Sequence, residues 1–139
     1  MAKHFRDAGD WKRAVAFYED AVRAFPRGAR FHALLAEGYL AQGREVEARG
    51  QRDEVLALAP GFYDEKARRA VLRRDYRAAL ELYRSIVRRA PDAHAAWGGL
   101  GFAAFKSGHL EEALAAFSRA GELADVAEYD YYAGVVVAS

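Results

Sequence analysis

The chain has 139 residues, of which 53% are hydrophobic, contains no cysteine and carries a formal net charge of +1 at neutral pH. This length and apolar content suffice for a continuous core, and the lack of cysteine excludes a disulfide framework, a thiolate metal site and a cysteine nucleophile. The first ten residues, MAKHFRDAGD, contain no apolar signal-peptide segment, and no run approaches the length of a membrane span. We therefore expect a soluble protein of the cytoplasm or the periplasm.

Charged residues are unevenly distributed along the chain. Between residues 66 and 89, nine basic residues accompany two acidic ones, whereas between residues 109 and 130 six acidic residues accompany one arginine. A charged stretch of a helix is usually a solvated face, which is our interpretation of the basic segment. A second hypothesis is that the basic segment binds an acidic partner surface, such as the acidic end of another copy.

The predicted elements are all helices, because apolar residues recur at helical spacing and prolines end the predicted helices. Stop signals stand at Pro26, Pro60 and Pro91. Asp125 and Glu128 have the spacing of a capping box, which predicts the start of a last helix. In chain order, the predicted helices cover residues 3–9, 10–25, 29–42, 44–59, 61–73, 75–90, 92–107, 109–123 and a last segment within 125–139.

A repeat of about 34 residues runs through the chain. The turns between paired helices align at Gly9, Gly43, Arg74 and Gly108, at spacings of 34, 31 and 34 residues. Small residues follow each turn at the same distance, and larger side chains come four residues later. These two columns are Ala14, Ala48, Ala79 and Ala113, and Tyr18, Arg52, Tyr83 and Phe117. The small residue lets two helices approach closely, and the side chain four residues on lies on the same helix face.

The residues Trp97-x-x-Leu100-Gly101 followed by Ala113-x-x-x-Phe117 resemble the signature of the tetratricopeptide repeat, a 34-residue helix–turn–helix unit. One position departs from it, because Ala104 stands where the family usually has Tyr. The resemblance covers essentially the whole chain. It implies an all-α fold, an α-solenoid of stacked antiparallel helix pairs that forms a tetratricopeptide-repeat superhelix of about four repeats.

We expect residues 1–139 to form a single repeat domain. Its parts are a partial repeat at 1–27, repeats at 28–60, 61–91 and 92–124, and the first helix of a further repeat or a capping helix at 125–139. Because the chain begins and ends inside a unit, we expect a fragment of a longer array. The Ala- and Arg-rich composition suggests a bacterial source.

The predicted helix at 44–59 departs most from the pattern. Glu45 and Arg52 replace the apolar residues of the other units, and Gly50 lies in the helix interior. Either the two charged side chains are bridged at the surface or the helix is loosely packed, and hydrogen exchange would distinguish these readings.

Catalytic and metal-binding patterns are lacking in the sequence. The four histidines are dispersed, with no pair at the spacing of a helical metal site, and the acidic pairs are adjacent, so their side chains point to different helix faces. Gly98, Gly99 and Gly101 lie in a predicted helix, where close helix packing explains them better than a phosphate loop. We predict no enzyme activity, no cofactor, no metal and no small-molecule substrate.

The resemblance implies a concave groove lined by the first helix of each repeat. Carried over by position, it places Lys3, Arg6 and Asp7 in the groove, and the candidate partner-binding residues are Arg30, Glu37, Asp64, Arg68, Phe102, Phe105, Lys106 and Tyr131. Some family members bind chaperone C-termini through a clamp that includes Asn, and this sequence has none. Phe102 and Phe105 either receive an apolar side chain of a partner peptide or only pack against the last helix.

The resemblance implies a scaffold that binds a peptide or a partner domain in the groove. The alternative is a self-assembly module that forms a homo-oligomer by stacking through its exposed terminal helices. A helical-repeat RNA binder is a third hypothesis. It is disfavoured because most basic residues of the segment 66–89 map outside the groove, and Tyr76 and Tyr83 belong to packing columns.

Overall fold

The computed structural model describes residues 9–139, which form eight α-helices and, over that range, no β-strand. The helices are α1 (Trp11–Ala24), α2 (Ala29–Ala41), α3 (Glu45–Leu58), α4 (Asp64–Leu72), α5 (Tyr76–Arg89), α6 (His94–Lys106), α7 (Leu110–Leu123) and α8 (Ala127–Ala138). The bounds agree with the predicted ones to within about two residues, except that α4 begins three residues later. The helix predicted at 3–9 lies outside the described residues.

The four aligned turn residues are all in the left-handed conformation. Gly9, Gly43 and Gly108 have φ angles of 76°, 74° and 81°, and Arg74 has a φ of 61°. In the last three turns the next amide bonds back into the preceding helix, for example from Asp75 N to Ala70 O at 2.9 Å. This is the Schellman closure, which requires a left-handed residue and therefore favours glycine.

Side-chain caps start two of the helices. The carboxylates of Asp10 and Asp75 accept the backbone N–H of Arg13 and Ala78 at 3.3 and 3.2 Å, which satisfies amides that have no partner within the helix.

The capping box predicted at Asp125 and Glu128 is wrong. Val126 is the N-cap of α8 and there is no side-chain cap hydrogen bond. The helix starts one residue later than predicted, so Glu128 stands at its second position. A capping box needs the acidic residue at the third position, and the carboxylate of Glu128 instead interacts favourably with the helix dipole.

The chain divides into two compact units, Met1–Pro60 and Gly61–Ser139. The division coincides with the expected boundary between the second and third repeats; the repeat boundaries themselves remain predictions. In the first unit, α1 packs on α2 and α2 on α3. The core of that unit consists of Ala14, Val15, Tyr18, Leu35, Tyr39 and Ala48.

In the second unit, helices α4 to α8 pack consecutively, and α4 also contacts α6. The column alanines Ala79 and Ala113 are completely buried, and the aromatic residues four positions later, Tyr83 and Phe117, are nearly so. An ion pair joins two helices of this core: the guanidinium of Arg84 in α5 donates to Glu112 in α7 at 2.9 and 2.6 Å.

One contact recurs in both units between a first helix and the proline before it. The indole N–H of Trp97 donates to the carbonyl of Pro91 at 2.8 Å. In the first unit, His32 Nε2 lies 2.8 Å from the carbonyl of Pro26. His32 thus holds the place of Trp97, and its Nδ1 lies 2.7 Å from Gln51 Oε1 in α3.

Arg52 is buried, with 5% of its surface exposed, whereas Glu45 is exposed. The reading in which these two side chains are bridged at the surface is therefore wrong. Arg52 occupies the interior position that Tyr18, Tyr83 and Phe117 hold in the other units. Whether α3 is loosely packed remains a prediction for hydrogen exchange.

Candidate functional site

A cavity of about 200 Å³ lies between α6, α7 and α8 in the second unit. Aromatic rings and valines form its wall, and Lys106 is its single charged lining residue. The residues around it are Phe102, Phe105 and Lys106 of α6, Phe117 of α7, and Tyr131, Tyr132, Val135 and Val136 of α8. Four of the predicted candidates, Phe102, Phe105, Lys106 and Tyr131, are therefore brought together.

Close contacts at two glycines position the helices around this cavity. A Cβ atom on Gly98 would lie 2.6 Å from the ring of Tyr129 in α8, and one on Gly101 would lie 2.8 Å from the ring of Phe117 in α7. A Cβ on Gly99 would likewise meet the ring of Tyr83. Helix packing is thus the role of these glycines, as the sequence predicts.

Tyr129 attaches α8 to α6. Its hydroxyl lies 3.0 Å from His94 Nδ1, and the two rings meet edge to face with centroids 5.9 Å apart. Burial raises the pKa of the Tyr129 hydroxyl. Tyr132 attaches α8 to α7, because its ring stacks on that of Phe117 in α7 at a centroid distance of 5.3 Å. These contacts fix α8 at two points, and the second pair, Tyr132 and Phe117, also lines the cavity.

The rim of the cavity is exposed to solvent. Tyr131 is 68% exposed, and its ring meets that of Tyr132 at a centroid distance of 5.6 Å. The ammonium group of Lys106 lies 5.6 Å from the centroid of Phe102. An apolar side chain that enters the cavity would thus meet aromatic walls, and a carboxylate at the entrance would meet one cation.

Phe102 and Phe105 line the cavity together with residues of α8. That they receive an apolar side chain of a partner peptide remains a prediction. Among residues 9–139 there is no set of three or more His, Asp or Glu side chains able to hold a metal ion.

The other four candidates lie elsewhere. Arg30 and Glu37 belong to α2 of the first unit. Asp64 begins α4, and Arg68 on the same helix is exposed and pairs with Glu65 at 2.8 Å. None of these four lines the cavity. The groove positions Lys3, Arg6 and Asp7 lie outside the described residues.

Three arginines of the basic segment form ion pairs within the chain. Arg68 and Arg69 pair with Glu65, and Arg84 pairs with Glu81 and Glu112. The Arg84 guanidinium lowers the pKa of Glu112, chiefly through its hydrogen bond to that carboxylate. The tyrosines of the segment are packed: Tyr83 is buried, and Tyr76 meets Phe102 edge to face. These contacts agree with the solvated-face interpretation and argue against base stacking on the tyrosines.

The sequence pattern places Phe117 in the core alone and does not single out Tyr132 or Val136, whereas Val135 is a groove position that the resemblance implies. A usable signal existed, because residues 131, 132, 135 and 136 share one side of a helix.

Comparison with known families decides the identity of the fold. Two family models, both described as tetratricopeptide repeat, match residues 1–61 and 70–131. The chain belongs to the tetratricopeptide-repeat family. Its fold is the all-α repeat class expected from the sequence. Tetratricopeptide repeats are in general protein-interaction modules without catalytic function.

Solved structures show the same fold. YrrB, described as a TPR protein with an unusual peptide-binding site, is 22% identical and has a TM-score of 0.56, over 99% of this chain and 73% of that one. MamA from Desulfovibrio magneticus RS-1, residues 41 to the end, is 20% identical with a TM-score of 0.53, over 97% and 78%. No curated protein matches the chain. Within residues 9–139, no helix is long and apolar enough to cross a membrane.

Proposed function

We propose that this tetratricopeptide-repeat protein is a scaffold that binds a peptide segment of a partner protein at the α6–α7–α8 cavity. One apolar side chain of the peptide enters the cavity, and an acidic group next to it meets Lys106. The observation that carries the proposal is an apolar cavity of about 200 Å³ with a single cation at its entrance. Buried anchors of this kind supply most of the energy in many interfaces.

Two further observations support the proposal. Tyr131 is 68% exposed at the rim, where an aromatic ring can cover a bound side chain. The similar protein YrrB is described as having a peptide-binding site. The candidate residues of the helices α2 and α4, namely Arg30, Glu37, Asp64 and Arg68, remain proposed contacts for the remainder of the partner.

The test uses labelled capped peptides of Gly and Ser that carry one Trp, with or without an adjacent Asp. Fluorescence anisotropy measures their binding to the full chain. Val135→Trp fills the cavity and should abolish binding, and Tyr131→Ala should weaken it about tenfold. The control is Val137→Ala, because Val137 is 70% exposed on the same helix but does not line the cavity.

Lys106 is tested separately. The peptide with Asp should bind several-fold more tightly than the one without it, and Lys106→Gln should remove this difference. Equal binding by the native protein and Val135→Trp would contradict the proposed site. An Asp effect that persists in Lys106→Gln would leave the cavity in place but contradict the role of Lys106.

Self-assembly is a second candidate, favoured by the exposed apolar side chains of α8. Tyr131 and Val137 are 68% and 70% exposed, and a second copy would remove them from water. Sedimentation equilibrium should then show association that Val137→Asp abolishes while peptide binding persists. A strict monomer at high protein concentration would contradict this candidate.

A further inference from the structure

The turn between α4 and α5, residues 72–77, presents an apolar side chain among exposed arginines. Leu72 is 82% exposed, more than any other large hydrophobic residue described. Arg73, Arg74 and Arg77 are all exposed beside it. We call this set, Leu72 with the three arginines, the basic turn. It shares no residue with the lining of the cavity.

The arginines of the basic turn differ from the arginine at the corresponding turn of the first unit. There, Arg44 donates to Glu47 and Gln42 at 2.9 Å and lies 4.2 Å from the ring centroid of Tyr39. By contrast, the guanidinium groups of the basic turn make no hydrogen bond or ion pair among residues 9–139. The nearby carboxylate of Asp75 caps α5. The three guanidinium groups therefore retain their donors for a partner.

The backbone at Arg74 provides a second observation. Arg74 has a φ of 61°, in the position that glycine holds in the other three turns. A side chain in this conformation costs stability that glycine would not cost. Strained positions of this kind occur more often at functional sites. Arginine at position 74 thus adds a cation to the surface but lowers the stability of the fold.

We propose that the basic turn is a second interaction surface, which binds an acidic segment of a partner protein. The arginines pair with its carboxylates, and Leu72 contacts an apolar side chain among them. Charge complementarity selects an acidic partner, and Leu72 favours a protein, because a phosphate backbone gives an exposed leucine little to contact.

Other anionic partners fit the basic turn less well. Tyr76, the aromatic residue of this stretch, is half-buried and meets Phe102 edge to face with ring centroids 6.1 Å apart, so it is a poor platform for base stacking. Three arginines are also fewer than the cluster of about four to eight basic residues that marks anionic-lipid binding. The net charge of the whole chain is only +1.

The test uses a labelled peptide that alternates acidic residues and serine and carries one leucine at its centre, with a second peptide in which that leucine is serine. Binding is measured by anisotropy with the full chain, both native and Val135→Trp, so that the cavity does not contribute. Arg74→Gly should weaken binding about five- to tenfold. Its melting temperature should equal or exceed that of the native protein, because glycine relieves the backbone strain.

Arg77→Gln should weaken binding by a similar factor. Leu72→Ser should remove the advantage of the leucine peptide over the serine peptide. The matched control is Arg89→Gln, which removes an exposed cation about 18 Å away along α5 and should leave binding unchanged. Binding should also weaken as salt rises.

Several results would overturn the proposal. One is peptide binding that is equal in the native protein, Arg74→Gly and Arg77→Gln. Another is binding by a single-stranded oligonucleotide or an anionic phospholipid vesicle, but not by the peptide, that depends on the basic turn. A third is self-association that Arg74→Gly abolishes while the peptide does not bind, which would make a second copy the partner. Because the cavity is blocked in one arm, failure here leaves the peptide site at α6–α8 standing.

Discussion

The helix pairs α2–α3 and α6–α7 occupy equivalent places in the repeat, and α6 and α7 border the cavity described above. Ala48 in α3 and Ala113 in α7 are both completely buried, so the close approach of the paired helices is common to them. Four residues later the two pairs differ, with Arg52 in α3 and Phe117 in α7. The ring of Phe117 contacts Gly101 and Tyr132 and also forms part of the cavity wall. The alanine column thus serves the close packing of both pairs, whereas the residue four positions on is a buried arginine in α3 and part of the cavity wall in α7.

The largest expected effect is at Phe117, because it joins the core to the cavity. Phe117→Ala should lower the free energy of unfolding by about 3 to 5 kcal/mol, since the ring is 2% exposed and its removal leaves a void. Chemical denaturation followed by circular dichroism measures the change. Phe17→Ala is the matched control, because Phe17 is 42% exposed and its loss should cost about 1 kcal/mol or less. Equal losses of unfolding free energy in the two variants would contradict the expectation that the buried ring of Phe117 stabilises the protein more than the exposed ring of Phe17.

A smaller effect is expected where α6 approaches Phe117. Gly101→Ala should lower the free energy of unfolding by about 1 to 3 kcal/mol, because the new Cβ would lie 2.8 Å from the ring of Phe117. The same variant should weaken binding of the Trp peptide, because the ring of Phe117, which must move to admit the new Cβ, lines the cavity. Unchanged stability would mean that the ring moves at no cost.

The same substitution in α3 should act in the opposite direction. Gly50→Ala should raise the free energy of unfolding by about 1 kcal/mol, because Gly50 lies inside a helix and no atom stands within 4 Å of its added Cβ. Thermal melts of Gly50→Ala and Gly101→Ala therefore form a matched pair. Destabilisation by both would mean that α3 is packed more tightly at Gly50 than its open surroundings indicate.

The smallest expected effect concerns the ion pair between α5 and α7. The pKa of Glu112 is lowered, first by its hydrogen bond from Arg84. A carboxylate with a lowered folded pKa stabilises the protein above its unfolded pKa of about 4.3, and this contribution is lost as pH falls through the folded value. Glu112→Gln should therefore cost about 0.5 to 1 kcal/mol at pH 7, because the pair is one-third exposed. A cost that stayed constant as the pH was lowered below the folded pKa would show that packing, and not charge, is responsible.

Much of the fold could be predicted because it depends on local patterns. The turns at Gly43, Arg74 and Gly108 were found from their spacing alone, and all three residues take the left-handed conformation. The capping box at Asp125 failed because helix starts depend on the preceding backbone, which here places Val126 at the N-cap.

The site was only partly predictable. Phe102, Phe105, Lys106 and Tyr131 were found from their positions in the repeat, but a repeat pattern describes how neighbouring helices pack and not where the packing is incomplete. The space beside Phe117 depends on how Tyr129 and Tyr132 hold α8 against α6 and α7. That is a matter of three-dimensional fit, which no spacing in the sequence records.

The most direct test of the central claim is an NMR titration of the full chain with the Trp–Asp peptide. We expect saturable shifts of amides in α6, α7 and α8, centred on Phe105, Phe117 and Tyr132, and none of them in Val135→Trp. Shifts confined to α2 and α3, or shifts at the cavity that persist unchanged in Val135→Trp, would contradict the claim that this cavity receives the partner.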